Sequence, residues 1–389
     1  MASSGTSLGG PAGSLTPWPT YHGDLQRTGV ASAAAAPSGT LTPVSVALDG
    51  AVYAAPITAG QLLVVATEND SVYALGAGGE LRWRVSLGTP TPRAVLPCGD
   101  IDPLGITGTP FFDQASNTVF VVASIGRSAN HQLVALDPAD GTVRWRRSVD
   151  LPGVDQSAMQ QRGALTVTGG MVWVPFGGLA GDCGNYRGQI VGVPVGGGTP
   201  VAFTVPTSRE GGIWTPPGPT VLNGDLLVAV GNGESTGGAY DLSDSVLRLR
   251  GTSVLDSFSP ATWASDNTSD LDLGSQGPAV VQGEWVFQAG KSGTAYVLAA
   301  DHLGGIGGQV MQAQLCRSFG GTAVDGDVVY VPCTDGLRSV QISKTGALKQ
   351  LWRADPSITG SPVLAANRIY ALDPYAGTLT GLTILSPDN

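Results

Sequence analysis

Leu133-Val134-Ala135-Leu136-Asp137-Pro138, followed by Gly141 and Trp145, is the stretch of sequence that decides the fold. It is a short apolar run that ends in a turn, and the glycine and tryptophan follow it closely. Self-similarity of this kind is typical of repeat architectures, in which each unit packs against the next. The same order of residues recurs in Val72–Leu75 with Gly79 and Trp83, and in Ile369–Pro374 with Gly377.

Seven units of this kind follow one another, 40 to 59 residues apart. Each contains several short apolar runs separated by turns, which predicts four-stranded blades arranged radially, an all-β propeller. Seven blades are favoured, and an eight-bladed ring shortened by one blade is the alternative. The last unit stops near Leu385 after three predicted strands, so we expect the strand-like run Thr40–Ala47 to complete it and close the ring. The units open at Ala55, Thr109, Ala164, Gly218, Gly277, Gly321 and Ser361.

The composition agrees with an all-β chain. Among 389 residues there are 57 glycines but only five glutamates and three lysines, which is unlike a helical bundle. The net charge of −10 argues against a nucleic-acid partner, which needs a basic face. No uninterrupted apolar stretch of about 18 residues predicts a membrane span. We interpret residues 1–17 as a disordered leader and residues 18–389 as a single domain, and we expect a monomer.

The chain has four cysteines, Cys98, Cys183, Cys316 and Cys333. Their even number and the lack of a Cys-x-x-Cys pair favour two disulfides over a metal site. Disulfides persist in oxidising compartments, so we expect a secreted or cell-envelope protein, although the sequence contains no signal peptide. Four buried thiols in a cytosolic protein are the alternative.

A family resemblance appears at two places. Trp18–Asp24 with Arg27–Gly29 resembles the opening of pyrroloquinoline-quinone (PQQ)-type propeller repeat proteins. The unit Val/Leu-x-Ala-Leu-Asp-x-x-x-Gly-x-x-x-Trp resembles their blade motif, and the resemblance extends over about residues 18–385. It implies the propeller fold, but such blades occur both in quinoprotein dehydrogenases and in non-catalytic assembly factors.

Strand order indicates which end of the ring carries a site. Loops that precede the first strand of a blade, or join its second and third strands, lie on one face of a propeller. Long loops concentrated on one face usually carry function. The longest predicted loops all belong to this face, and they are Arg93–Gly108, Phe176–Gly188, Thr207–Pro217, Gly231–Ser245 and Ala264–Gly277.

Four residues on this face resemble site residues of the quinoprotein alcohol dehydrogenases. The resemblance implies that Trp214 stacks under the quinone and that Asn232 ligates a calcium ion. It implies that Asp272 is the catalytic base beside the calcium, and that Lys291 places a cation on the quinone oxygens. Each residue also has a structural interpretation: a packing tryptophan, a turn asparagine, a loop cap and a solvated lysine.

The sequence also departs from this family. The dehydrogenases have two adjacent cysteines bonded to each other over the quinone, where this chain has Cys98 alone. Their glutamate ligand to calcium falls near Cys183. These departures count against PQQ and calcium, and they lead us to expect a Cys98–Cys183 disulfide. Cys316 precedes blade 6 and Cys333 ends its second strand on the same face, so we expect them to form the second bridge.

Three functions fit these observations. The first is a dehydrogenase of alcohols or sugars with PQQ and calcium. The second is an exported, cofactor-free binding or assembly propeller whose long-loop face holds a small molecule, a glycan or a protein. The third is a carbohydrate-active hydrolase or lyase, which needs a pair of carboxylates. The candidates for that pair are Glu210, Glu234, Asp241, Asp244, Asp266 and Asp272.

Overall fold

The computed structural model describes residues 15–32, 34, 44–374 and 378–383. Strands in this part of the chain form seven sheets, which are the blades of a seven-bladed propeller, rather than eight. Each repeated unit of sequence supplies the main strands of one blade. The fold class expected from the repeats is therefore confirmed.

Four blades have four strands in chain order, from the axis outward. Blade 1 consists of Ile57–Ala59, Leu62–Ala66, Ser71–Leu75 and Leu81–Ser86. Blade 2 consists of Phe111–Asp113, Thr118–Ile125, Asn130–Leu136 and Val143–Ser148. Blade 5 consists of Ala279–Val281, Trp285–Gln288, Thr294–Ala299 and Met311–Gln314. Blade 6 consists of Ala323–Asp325, Val328–Val331, Arg338–Ile342 and Leu348–Arg353.

The other three blades carry additions or a strand from elsewhere. Blade 3 consists of Met159–Gln160, Thr166–Thr168, Met171–Gly178, Gln189–Pro194 and Val201–Thr204. Blade 4 consists of Thr220–Leu222, Asp225–Val230, Ser245–Arg250, Ser253–Ser259 and Gly305–Ile306. Blade 7 consists of Val30–Ala31, Val363–Ala365, Arg368–Asp373 and Thr378–Thr383. The helices of the described residues are short, namely α-helix Trp263–Thr268 and 3-10 helices Arg93–Val95, Gln156–Ala158 and Leu273–Ser275.

Neighbouring blades bury their faces against each other. In the second strand of blade 2, Val119 and Val121 pack in the core shared with blade 1. Phe120 and Val122, which alternate with them, pack in the core shared with blade 3. Successive side chains of a strand point to opposite faces of its sheet. Both faces of a blade are therefore buried, which explains why the strands appear in the sequence as continuous apolar runs.

The repeated glycine and tryptophan form a contact between successive blades. The Trp83 indole of blade 1 donates from Nε1 to the Pro138 carbonyl of blade 2, at 2.9 Å. Gly141 in that turn has a φ of +76°, and a Cβ there would lie 2.6 Å from the Trp83 ring. Only glycine accommodates both the left-handed backbone and the stacked indole. Trp145 packs on Gly197 of blade 3 in the same way.

An N-terminal strand completes blade 7, but this strand is Val30–Ala31. The prediction of Thr40–Ala47 is wrong for residues 44–47, the part of that run that the structure describes. Val30–Ala31 pairs in parallel with Leu364 and Ala365 at the inner edge of that blade. Residues 40–43 lie outside the described residues, and no strand forms at residues 44–47. Val46 instead packs on the face of blade 1 that points away from blade 2. The run has the alternation of a strand, but that pattern does not specify a pairing partner.

Residues Trp18–Gly29, the central segment, occupy the middle of the ring. Inner-strand amides of five blades donate to its carbonyls: Thr58 to Trp18, Phe112 to Pro19, Val221 to Leu25, Val324 to Thr28 and Leu364 to Gly29. The Arg27 guanidinium reaches blade 3, where it donates to the Leu165 carbonyl at 2.9 Å and to Thr166 Oγ1 at 2.6 Å. The segment therefore forms hydrogen bonds with the inner strands of six blades and connects these blades to one another.

Candidate functional site

A cavity of about 390 Å³ opens on the long-loop face. The four residues that the resemblance selected all line it. They come from different places in the chain, which are the segments before blades 4 and 5 and the loops inside these blades. The lining residues are Arg162, Gly178, Leu179, Ala180, Gly181, Asp182, Trp214, Asn232, Asp270, Asp272, Lys291 and Phe319.

Close approach of backbone holds the tryptophan and the aspartate of this cavity in place. A Cβ on Gly177 would lie 2.7 Å from the Cβ of Trp214. A Cβ on Gly231 would lie 2.5 Å from Asp272 Oδ1 and 3.0 Å from Trp214 Nε1. The absence of side chains at these two glycines lets the loops meet, so the glycines of this face have a packing role.

Asp272 and Lys291 form a buried ion pair on one wall. Asp272 is 2% exposed, and its Oδ1 accepts the Asn232 backbone N–H at 2.6 Å. Lys291 Nζ lies 2.5 Å from Asp272 Oδ2 and 2.7 Å from Oδ1 of the exposed Asp270. Burial raises the pKa of Asp272 to about 6, although the Lys291 ammonium opposes the shift. Burial also opposes the charge of Lys291, but the two aspartates outweigh it and raise its pKa.

Asn232 lies between two carboxylates. With its amide in one orientation, Nδ2 donates to Glu210 Oε2 at 3.4 Å. In the other orientation, Nδ2 donates to Asp272 Oδ2 at 3.2 Å, and both amide atoms are then satisfied. Glu210 is buried beside Arg209, and burial raises its pKa. From the sequence, Glu210 is a candidate only for the carboxylate pair of carbohydrate cleavage, and its position beside Asn232 is not predicted.

Arg162 is a cavity residue that the sequence analysis missed. Its guanidinium carbon lies 4.3 Å from the centre of the Trp214 ring, a cation–π stack. Its Nε donates to the Trp214 carbonyl at 3.2 Å. Burial lowers the pKa of Arg162, although Asp100, Asp182 and Asp272 oppose this shift. No motif marks Arg162 in the sequence, because its place depends on how blade 3 meets the segment before blade 4.

Both disulfides are present in the pairs expected. Cys98 and Cys183 join the long loops of blades 2 and 3, with a Cα–Cα distance of 6.0 Å. Gly181 of the cavity wall lies against Cys98, so this bridge supports the wall. Cys316 and Cys333 bridge the start and the second strand of blade 6, with a Cα–Cα distance of 5.7 Å.

The carboxylates proposed for carbohydrate cleavage are not gathered in the cavity. Of the six, Asp272 alone is among its lining residues. Asp244 is fully buried and accepts the Leu273 N–H at 2.9 Å, while Asp266 accepts from Thr262. Glu234 is half exposed and lies 3.8 Å from Arg209. No observation on these residues favours the hydrolase or lyase.

The residues present do not fit a quinone and a metal in this arrangement. Arg162 stacks on the Trp214 ring within the cavity, where a planar cofactor would have to stack. Lys291 already neutralises Asp272, and the family's glutamate position is taken by a bridged cysteine. Among the described residues, no three histidine, cysteine, aspartate or glutamate side chains form a group that could hold a metal ion.

Comparison with known proteins gives the family. A PQQ-repeat family model described as outer membrane protein assembly factor BamB matches residues 26–250, more than half of the chain. The protein therefore belongs to this family of PQQ-type propellers. No curated protein matches the sequence significantly. In the described residues, no helix is long and apolar enough to cross a membrane.

Solved structures share the fold at low sequence identity. Quinohemoprotein alcohol dehydrogenase from Comamonas testosteroni aligns with a TM-score of 0.67 and 15% identity, over 92% of this chain and 70% of that chain. A europium-containing methanol dehydrogenase aligns with a TM-score of 0.67 and 13% identity, over 95% and 85%. BamB from Moraxella catarrhalis aligns with a TM-score of 0.51 and 15% identity, over 83% and 82%.

Proposed function

We propose that the protein is an exported propeller that binds a small molecule in the long-loop cavity, without PQQ or calcium. The observation that carries the proposal is the convergence of Trp214, Asn232, Asp272 and Lys291 on one concave site. A concave site that combines an aromatic face with a few fixed polar groups is the usual form of a small-molecule site. The two disulfides support an oxidising compartment, and we propose that the protein is a monomer.

A thermal-shift screen tests this function. Alcohols, sugars, hydroxy acids and amino acids are each added to the wild-type protein and to two variants. Asp272→Asn changes the cavity, while Asp301→Asn makes the same change at an exposed aspartate of blade 5. We expect compounds that raise the melting temperature of the wild type and of Asp301→Asn, but not of Asp272→Asn. Compounds that stabilise all three proteins equally, or none of them, contradict the proposal.

A second candidate is a quinoprotein-type dehydrogenase of alcohols or sugars. The pKa of about 6 favours it, because Asp272 then accepts a substrate hydroxyl proton near neutral pH. This candidate assigns the cofactor to Trp214 and Lys291 and the metal to Asn232 and Asp272. Because the observed arrangement does not fit these groups, it requires Arg162 to leave the ring face and Lys291 to release Asp272. Calorimetric titration with PQQ plus Ca²⁺ or Eu³⁺, followed by a dye-linked assay, tests it. The absence of both a heat of binding and turnover would eliminate this candidate.

A further inference from the structure

Arg162 differs from the other cations near the cavity in having no carboxylate partner. Lys291 pairs with two aspartates, and Arg209 pairs with Glu210 and approaches Glu234. No ion pair among the described residues includes Arg162. A charge that is largely removed from water is costly unless it is paired. The structure thus presents at the wall of the cavity a positive charge that contacts no carboxylate directly, while Asp100, Asp182 and Asp272 act on it from beyond ion-pair distance.

The guanidinium is also oriented to receive a ligand. Its Nε is fixed by the Trp214 carbonyl, and its central carbon is held over the indole ring. Its two terminal nitrogens have no hydrogen-bond partner in the described residues, and they are not sealed from solvent. Two parallel donors of a fixed guanidinium match the two oxygens of a carboxylate. Three carboxylates lie near Arg162, but none bonds to its terminal nitrogens in the described residues. Asp182 accepts from Tyr186, Asp272 is held by Lys291, and Asp100 forms no ion pair with Arg162.

The second polar group of the cavity limits the size of this ligand. The Arg162 guanidinium carbon lies 4.3 Å, and Lys291 Nζ 5.9 Å, from the centre of the same indole ring. The two groups are therefore no more than about 10 Å apart, and both lie beside the same apolar ring. A molecule of about the length of a six-carbon sugar acid is therefore long enough to contact both groups. Its hydroxyl groups would face the Asp272–Lys291 pair, which offers both an acceptor and a donor.

We propose that the ligand of this cavity is a small hydroxy carboxylate, whose carboxylate is held by Arg162 through two hydrogen bonds. The inference rests on the proposed function, since it names the chemical class of the molecule bound in the same cavity. It also explains why Arg162 covers the Trp214 ring: the guanidinium is the receptor for the ligand. Arg162 is then a specificity-determining residue of the site.

Calorimetry with matched pairs of compounds tests this proposal. Glucuronate is compared with glucose, gluconate with glucitol, and lactate with propane-1,2-diol, so that each pair differs mainly in the carboxylate. We expect at least one carboxylate to bind at least about tenfold more tightly than its neutral counterpart. Arg162→Gln should bring this ratio to near one. Arg317→Gln, which alters an exposed arginine on the same face, should leave it unchanged.

Arg162→Lys keeps the charge but removes the planar guanidinium with its two parallel donors. It should therefore retain part of the preference for the carboxylate, and it replaces Arg162→Gln in the test if that variant does not fold. Equal binding within every pair, or a preference that survives in Arg162→Gln, overturns the proposal. If only neutral compounds bind, and Asp272→Asn abolishes their binding, the carboxylate proposal fails while the small-molecule function stands. If no compound of any class responds to the cavity variants, both fail.

Discussion

Lys291 controls the ionisation of Asp272, because it is the cation in direct contact with that buried carboxylate. Burial raises the pKa of Asp272 to about 6, and the ammonium prevents a larger rise. Lys291→Met should therefore move the titration of Asp272 to higher pH, by roughly one pH unit or more. Carboxyl-carbon NMR over a pH series measures it. Lys349→Met, at an exposed lysine, is the matched control, and an unchanged titration in Lys291→Met would contradict the assignment.

The same pair gives a dependence of stability on pH. A carboxylate with a raised pKa in the folded state stabilises the fold below its unfolded pKa, and that contribution is lost as the pH rises through about 6. Without the lysine the ionised Asp272 is buried unpaired. We expect the free energy of unfolding of Lys291→Met to fall further below wild type at pH 8 than at pH 5. Urea unfolding at both pH values measures this, and an equal deficit at both contradicts it.

Gly231 keeps the space in which Asp272 meets Trp214. A Cβ at this position would lie 2.5 Å from Asp272 Oδ1, so Gly231→Ala must displace the carboxylate or the loop. Overpacking of this kind costs about 1–3 kcal/mol in the free energy of unfolding. Urea denaturation measures it, with Gly237→Ala as control, because that glycine lies in the same loop with open space around it. Equal stability of the two variants would show that the contact is not restrictive.

At the residue scale, the sequence placed Trp214, Asn232, Asp272 and Lys291 on one face, and the structure brings them to one cavity. The order of the strands in each blade was sufficient to predict the face of the propeller on which these residues lie. The family resemblance selected the four residues themselves. Arg162 could not be predicted from the sequence, because its role depends on stacking against Trp214, about 50 residues away in the chain. No local pattern encodes such a contact between different blades.

The two disulfides should differ in what they contribute to stability. Cys98–Cys183 joins residues 85 positions apart, and Cys316–Cys333 joins residues 17 apart. In the chain-entropy model the longer loop stabilises by about 4.6 kcal/mol and the shorter by about 3.1 kcal/mol. We expect the Cys98→Ala/Cys183→Ala double variant to lose more free energy of unfolding than Cys316→Ala/Cys333→Ala. Denaturant unfolding without reductant measures both, and the reverse order would contradict the entropic account.

Arg27 joins the central segment to blades 3 and 4 through its side chain. Its guanidinium donates to the Leu165 and Pro219 carbonyls, and the side chain is 3% exposed. Arg27→Ala leaves these buried acceptors with fewer donors, which should cost about 2–4 kcal/mol in the free energy of unfolding. Arg82→Ala, at a surface pair with Glu80, is the control and should cost under about 1 kcal/mol. A similar loss in both variants would mean that Arg27 has no special role.

At the element scale, the period of the repeats predicted the blades, because each unit of sequence contains the main strands of one sheet. The strand that completes blade 7 was predicted in the wrong place. Val30–Ala31 is two residues long, too short to be recognised from alternation, whereas Thr40–Ala47 has the stronger pattern. Pairing with Leu364 is decided by the position of the central segment, which is a property of the complete ring.

The whole molecule should open as one unit at its axis, because the central segment bonds the inner strands of six blades. The amides of Thr58, Phe112, Val221, Val324 and Leu364 all donate to this one segment. We expect these five amides to exchange hydrogen with deuterium at a common rate under native conditions, since releasing the segment exposes them together. Hydrogen exchange followed by NMR measures this. Rates that differ widely from blade to blade would show that the blades open independently.

The central segment also constrains the order of events during synthesis. Trp18–Gly29 is synthesised before all the blades that it contacts, and His22 Nδ1 contacts the Thr322 carbonyl 300 positions away. Closing so long a loop carries an entropic cost that must be met before the contact forms. We therefore expect the nascent chain to assemble individual blades first, and to reach its full resistance to proteases only after blades 6 and 7 are synthesised. Maturation of this protein is thus expected to be a late event, set by the synthesis of blades 6 and 7 rather than by that of the central segment.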